Sequence, residues 1–288
     1  MDLVLHIGAH RTATTAMQDM LVAARPALSA ARVTALVHEE LGAVEGFSTV
    51  PVREGWDKTR AAFDRATRGA ETVLISEENL IGDMGWNIRS GQFYPNARRR
   101  LSAYRDFLGQ APLRIGLGIR GYADYWISAH AQELSYCHVG REGVVRFAEA
   151  RAQLMAVNRG WRDLVRDLRV VFPESELVIW PLEHRIALPD LARRLLGLAD
   201  LALPNPPAGV NAAPDHGKLK PLEAFRAKNP NASRHAVQEF LDRCDKQPFE
   251  GFSCADQLRL QARYADDLGA LGQGADGAVL LPPNREAA

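Results

Sequence analysis

Short unbroken apolar runs recur along the chain, separated by stretches in which apolar residues fall every three or four positions. Leu3-Val4-Leu5-His6-Ile7, stopped by Gly8, predicts a buried first strand. Residues 33–37, 72–76, 113–119 and 177–180 predict further strands, the last of them the final clear one. Helical spacing predicts helices between them. The first covers residues 14–28, with Met17, Met20, Leu21 and Ala24 on one face and Pro26 near its end. Others are predicted over 56–67, 97–108, 122–134, 143–168 and 189–196. Residues 39–54, with Gly, Ser and Pro, read as loop, and 203–221 as a long ordered loop or lid. From Gly272 onward the chain reads as a frayed tail.

Strands alternating with helices imply crossover connections. The expected fold class is therefore α/β: three layers, with a mostly parallel sheet flanked by helices on both faces. Ligands of such sheets sit at the carboxyl ends of the strands, on the following loops and helix starts. No internal repeat is present.

Composition narrows the classes. The 288 residues are 47% hydrophobic and 24% charged, ordinary for a globular chain and unlike a disordered one. The 35 Lys+Arg balance 35 Asp+Glu, which argues against a basic nucleic-acid coat and against an acidic tail protein. No basic leader with an apolar stretch opens the chain, and no apolar run approaches a membrane span. A cytoplasmic protein without membrane insertion is expected. Cys137, Cys244 and Cys254 are too few for a disulfide framework and read as reduced thiols. No cluster of His and Cys has metal-ligand spacing, so no metal is expected.

Chemistry concentrates after the first strand. Gly8-Ala9-His10-Arg11-Thr12-Ala13-Thr14-Thr15 leads into a helix whose first amides lack intrahelical acceptors and lie at the positive end of its dipole. Thr12, Thr14 and Thr15 add hydroxyls, and Arg11 adds a cation able to grip two oxygens. The Walker pattern is absent, because no Gly-Lys-Ser/Thr follows. A capped helix start without a ligand is the plainer alternative.

At these residues the sequence resembles the sulfotransferases that use 3'-phosphoadenosine-5'-phosphosulfate (PAPS). Their first loop typically reads Lys-x-Gly-Thr-Thr, preceded in bacterial members by His-Ile-Gly. Here His6-Ile7-Gly8 precedes Arg11-Thr12-Ala13-Thr14-Thr15, with Gln18 in the usual place. Arg11 replaces the lysine and Ala13 the glycine. Arginine keeps the charge but does not give up a proton, and no lysine occurs before Lys58. Alanine requires either a negative φ or some strain.

A second element strengthens the resemblance. Ile119-Arg120-Gly121-Tyr122-Ala123-Asp124-Tyr125-Trp126-Ile127-Ser128 matches the family's strand-end arginine with a serine eight positions on, although Gly121-Tyr122 stands where Asn-Pro is common. A weaker echo is Arg263-Tyr264-Ala265-Asp266-Asp267-Leu268, similar to a Tyr-x-x-Asp-Leu ending, and Asn211 falls where the family has a nucleotide-covering loop. The resemblance implies a P-loop-like domain over residues 1–271, and composition makes 272–288 a flexible tail. It implies PAPS as donor and adenosine 3',5'-bisphosphate (PAP) as product. His10, Arg11, Thr12, Ala13, Thr14 and Thr15 would hold the 5'-phosphosulfate, and Arg120 with Ser128 the 3'-phosphate.

Transfer to a hydroxyl needs a base near the next strand end. The strand over 72–76 leads into Glu77-Glu78-Asn79, and successive strand residues face opposite ways, so one glutamate should face the cleft. Ser76-x-Glu78 resembles a bacterial family pattern, which favours Glu78 as base with Glu77 as alternate; His10, His130 and His138 are further candidates. Arg89, Arg98, Arg99, Arg100, Arg105, Arg114 and Arg120 face only Asp106 as an acid in their stretch. They form either a solvated helix face or part of a groove for an acidic or sugar acceptor. Trp56, Trp86 and Tyr94 either stack on such an acceptor or belong to the core. The expected partner is a small-molecule or carbohydrate acceptor, with no nucleic acid; the oligomeric state stays open. The rival expectations are a P-loop kinase-like phosphoryl transferase and a degenerate nucleotide-binding protein without transfer activity.

Overall fold

The computed structural model describes residues 1–44, 46–47, 56–136, 145–207 and 215–284. The chain begins with β1 (Asp2–His6), α1 (Thr14–Ala23), α2 (Arg25–Ala30), β2 (Val33–Val37), α3 (His38–Ala43), α4 (Asp57–Ala66) and β3 (Thr72–Ser76). It continues with α5 (Met84–Ser90), α6 (Ala97–Leu108), β4 (Arg114–Ile119), α7 (Tyr122–Tyr136), α8 (Phe147–Met155), α9 (Trp161–Val171) and β5 (Glu176–Pro181). The remainder is α10 (Leu188–Leu196), α11 (Leu219–Lys228), α12 (Arg234–Arg243), α13 (Cys254–Gly272) and β6 (Ala278–Leu280). The strands form one sheet of order β2-β3-β1-β4-β5-β6. Every pairing in it is parallel. No helix among the described residues is long and apolar enough to cross a membrane.

Both faces of the sheet are covered, so the strands read as unbroken apolar runs. Leu3, Leu5, Val73, Ile75, Leu177 and Ile179 point into one core, where α6, α7, α9 and α13 bring Phe107, Trp126, Trp161 and Leu271. Val4, Leu74, Val178 and Trp180 point the other way, against Met17 and Leu21 of α1 and Leu191 and Leu195 of α10. On this second face β4 carries Gly116 and Gly118. A Cβ on Gly116 would stand 2.8 Å from the Leu195 methyls, and one on Gly118 2.7 Å from the Thr12 hydroxyl. The two glycines therefore leave the space that α10 and the β1–α1 loop fill.

The α/β class with a helix-flanked parallel sheet is as expected; several boundaries are not. The helix expected over 14–28 is two, broken at Ala24, because Pro26 suits a first helical turn and not an interior one. The long helix expected over 143–168 is α8 and α9, interrupted before Gly160, which caps α9 and donates its amide to Asp163 at 2.9 Å. Residues 39–54 were expected to be loop, but α3 takes in 38–43, tied to α2 by the Arg25–Glu40 ion pair. Residues 45 and 48–54 lie outside the described residues.

The lid expected over 203–221 ends in helix, since α11 starts at Leu219, and Asn211 lies outside the described residues. The tail read as frayed from Gly272 contains β6, in register with β5 through Leu177 and Ala278. Its three residues are too few for a periodicity to show. Cys244 is half-buried and Cys254 exposed, and neither is in a disulfide; Cys137 lies outside the described residues.

Candidate functional site

The crossovers leaving β1 and β4 diverge, β1 toward β2 and β4 toward β5, so the carboxyl ends of these two central neighbours open a crevice between them. The β1–α1 loop lies across it. Its backbone stays bonded to β4 as far as Ala9, with the Ile7 amide donating to Gly116 O at 2.8 Å and the Ala9 amide to Gly118 O at 3.1 Å. Positive φ marks its bends, at Gly8 (φ +32) between these two bonds and then at Arg11 (φ +68) and Ala13 (φ +66). Ala13 thus adopts the left-handed conformation that a glycine would take without strain. The Thr12 hydroxyl donates to Ala9 O, and the Thr14 hydroxyl to Gly8 O at 3.1 Å. Both threonines are buried, so their hydroxyls brace the loop.

Arg11 reaches from this loop to α7. Its Nε donates to Ser128 Oγ at 2.7 Å and one terminal nitrogen donates to Gln132. Arg120, at the end of β4, donates to the main-chain oxygen of Arg11 at 3.3 Å. Arg11, Arg120 and Ser128 are therefore brought together, though Ser128 bonds Arg11 and not Arg120. Among the described residues no carboxylate pairs with Arg120, and Asp124 does not neutralise it. The turn after Arg120 is held from outside: the Gly121 amide donates to Glu183, which also accepts from the Tyr264 hydroxyl at 2.9 Å. Tyr122 donates to Asp267 and lies under the Arg263 guanidinium. The Arg263–Leu268 echo thus props the start of α7.

The end of β3 separates the two glutamates. Glu77 is buried, accepts from the Asn79 amide at 2.9 Å, and lies 2.7 Å from His38 Nδ1. Burial works to raise its pKa, but the bonds from His38 and Asn79 outweigh this and hold the carboxyl below its ordinary value. His38 gains correspondingly: its bond to Glu77 lifts it to about 9. Glu78 accepts from the Gln18 side-chain amide at a long 3.4 Å. Its burial, and then the negative charge of Glu77, raise it to about 7.

Asn79 links these carboxylates to the β1–α1 loop. Its amide nitrogen donates to Glu77 at 2.7 Å, which leaves its oxygen to accept from His10 Nε2 at 3.2 Å. His10 Nδ1 then accepts from the Tyr94 hydroxyl at 2.8 Å. Burial pushes His10 down to about 4, so it is a neutral wall with both ring nitrogens engaged. His130 bonds Glu223 of α11 at 2.8 Å, away from the crevice, and His138 lies outside the described residues.

His38, Asn79, Tyr94, Gln132 and Gly118 also shape the site, in roles that no motif of the sequence assigns them. Only the alternating glycines of Gly116-Leu117-Gly118, small residues on one face of a strand, carry a signal readable in the sequence. No protein-family model, curated protein or solved structure matches the chain.

Proposed function

We propose that the protein is a sulfotransferase moving a sulfuryl group from PAPS to a hydroxyl of a small-molecule or carbohydrate acceptor. The meeting of Arg11, Arg120 and Ser128 where β1 and β4 end carries this reading. Two guanidiniums stay charged at any physiological pH, and beside a helix start they suit a donor that is anionic at both ends. The residues fit such a group: Arg11 and the first turn of α1, including Thr14 and Thr15, would hold the phosphosulfate end. Arg120 with Ser128 would hold the 3'-phosphate. Bound there, PAPS supplies the sulfuryl group and leaves as PAP.

Glu78 accepts the proton of the acceptor hydroxyl as its oxygen bonds to sulfur. A carboxyl near 7 is both ionised often enough and basic enough for this at neutral pH. Glu77, held ionised by His38, supplies the charge that keeps Glu78 basic. The arginines stabilise the departing phosphate electrostatically and donate no proton to it.

Thermal unfolding in the presence of PAP tests the donor site. Ligand at a hundred times its Kd adds about 2.7 kcal/mol, a shift of several degrees. No shift at about 1 mM removes the reading, and a larger shift with ATP and Mg²⁺ assigns the site to phosphoryl transfer instead. A second reading, a nucleotide binder without transfer, is favoured by the engagement of Arg11 with Ser128 and Gln132 and by the left-handed Ala13. PAP binding with no turnover across an acceptor panel selects it.

A further inference from the structure

The loop after β3 and the first turn of α6 enclose a cleft of about 300 Å³ at the carboxyl edge of the sheet, walled by Asp83, Trp86, Arg89, Tyr94, Arg99 and Arg100 among others. It adjoins the donor crevice without being part of it. Tyr94 is the shared wall, lining the cleft while its hydroxyl bonds His10. Asn79, the residue after Glu78, accepts from an Arg100 terminal nitrogen at 2.7 Å through its main-chain oxygen.

The charges in this cleft are unbalanced. Arg89 is paired with Glu133 and, at 3.5 Å, with Asp83. Arg99 and Arg100 have no ion-pair partner among the described residues. Arg100 Nε is moreover buried with no hydrogen-bond acceptor, a costly arrangement that an anionic oxygen would relieve. Beside them Trp86, on α5, is 49% exposed and offers an apolar ring to whatever enters. A flat face next to two guanidiniums that no carboxylate among the described residues neutralises complements a ring bearing an anion, and the volume suits one or two sugar units.

We infer that this cleft is the acceptor subsite and that it takes a sugar ring carrying a carboxylate or sulfate. The inference rests on the sulfotransfer reading for the term acceptor, while the binding itself does not depend on it. Calorimetric titration of the full chain with a glucuronic acid–N-acetylglucosamine disaccharide, and with its neutral glucose counterpart, tests it. The acidic sugar is expected to bind about tenfold tighter or better. Arg99→Glu is expected to abolish that preference with PAP affinity intact, and Trp86→Ala to weaken both sugars.

Equal affinity for the two sugars, or an unaltered preference in Arg99→Glu, overturns the inference. So does tighter binding of 4-hydroxybenzoate, which would make the cleft a site for aromatic acids. If the acidic sugar binds and PAP does not, the cleft stands and the donor reading falls. PAP binding with no sugar binding up to about 10 mM gives the opposite result.

Discussion

Glu78 and Glu77 are chemically identical neighbours with opposite environments. Glu77 is anchored by His38 and Asn79, whereas Glu78 keeps its proton up to about 7. Glu78→Gln is expected to lower sulfuryl transfer by about 10²–10⁴-fold while leaving PAP affinity unchanged, measured by turnover and by calorimetry. In the proposed mechanism the ionised carboxylate is the base, so the wild-type rate should rise with pH through about 7 and the variant's should not. At the neighbouring loop, Ala13→Gly is expected to stabilise the fold by about 1 kcal/mol in urea unfolding, since it relieves a left-handed alanine. At this scale the sequence carries part of the site. Strand alternation separates the two glutamates, but the partner that fixes Glu77 is His38, from a different crossover, and no local pattern announces such a pairing. The resemblance likewise lines up Thr12 and Thr14, yet their hydroxyls turn inward to loop carbonyls that no spacing rule identifies.

At the scale of elements, buried strands were the most legible, because an apolar run covered on both faces leaves little ambiguity. Helix interruptions were the least. Phe147, Ala150, Leu154, Trp161, Leu164 and Leu168 keep one helical phase across the break between α8 and α9, so periodicity runs straight through it. What stops the helix is local: Gly160 caps α9 and lets the Tyr122 hydroxyl approach the Trp161 amide to 2.8 Å. A Cβ at that glycine would collide with the same hydroxyl. Gly160→Ala is accordingly expected to cost about 1–3 kcal/mol in urea unfolding and to weaken PAP binding, because Tyr122 begins the helix that carries Ser128. Helices α11 and α12 carry short apolar stripes, Leu222 with Phe225 and Val237 with Phe240 and Leu241, and pack chiefly on the far end of α7 through Leu222, Val237 and Leu241.

For the molecule as a whole, two buried histidines set the response to acid. Burial holds His6 and His10 near 4, against 6.5 for an exposed histidine. The unfolded chain therefore takes up protons that the fold refuses, and stability falls as pH drops from about 6.5 to 4. Each group contributes roughly 3 kcal/mol of that loss when fully expressed. Glu78 acts oppositely, favouring the fold as pH falls from about 7 to 4.5, as does Asp267, whose carboxyl is also raised, whereas Glu77 and Glu176, held low in the fold, add to the loss. Denaturant unfolding at stepped pH should show the net loss. His6→Asn, which keeps a group able to bond Ser76, should flatten it.

The strand order has a consequence for how the chain is made. Synthesis delivers β1 first, yet β1 occupies the middle of the sheet and has no strand to pair with until β3 emerges. The loop that follows it waits longer still. Gly116 and Gly118 tether its backbone, and Ser128 and Gln132 hold Arg11, all contributed by later segments. On the ribosome the earliest-translated part of the proposed donor site is thus among the last parts to take shape, and nascent chains halted before α7 should not retain PAP-agarose even with every residue of that loop already exposed.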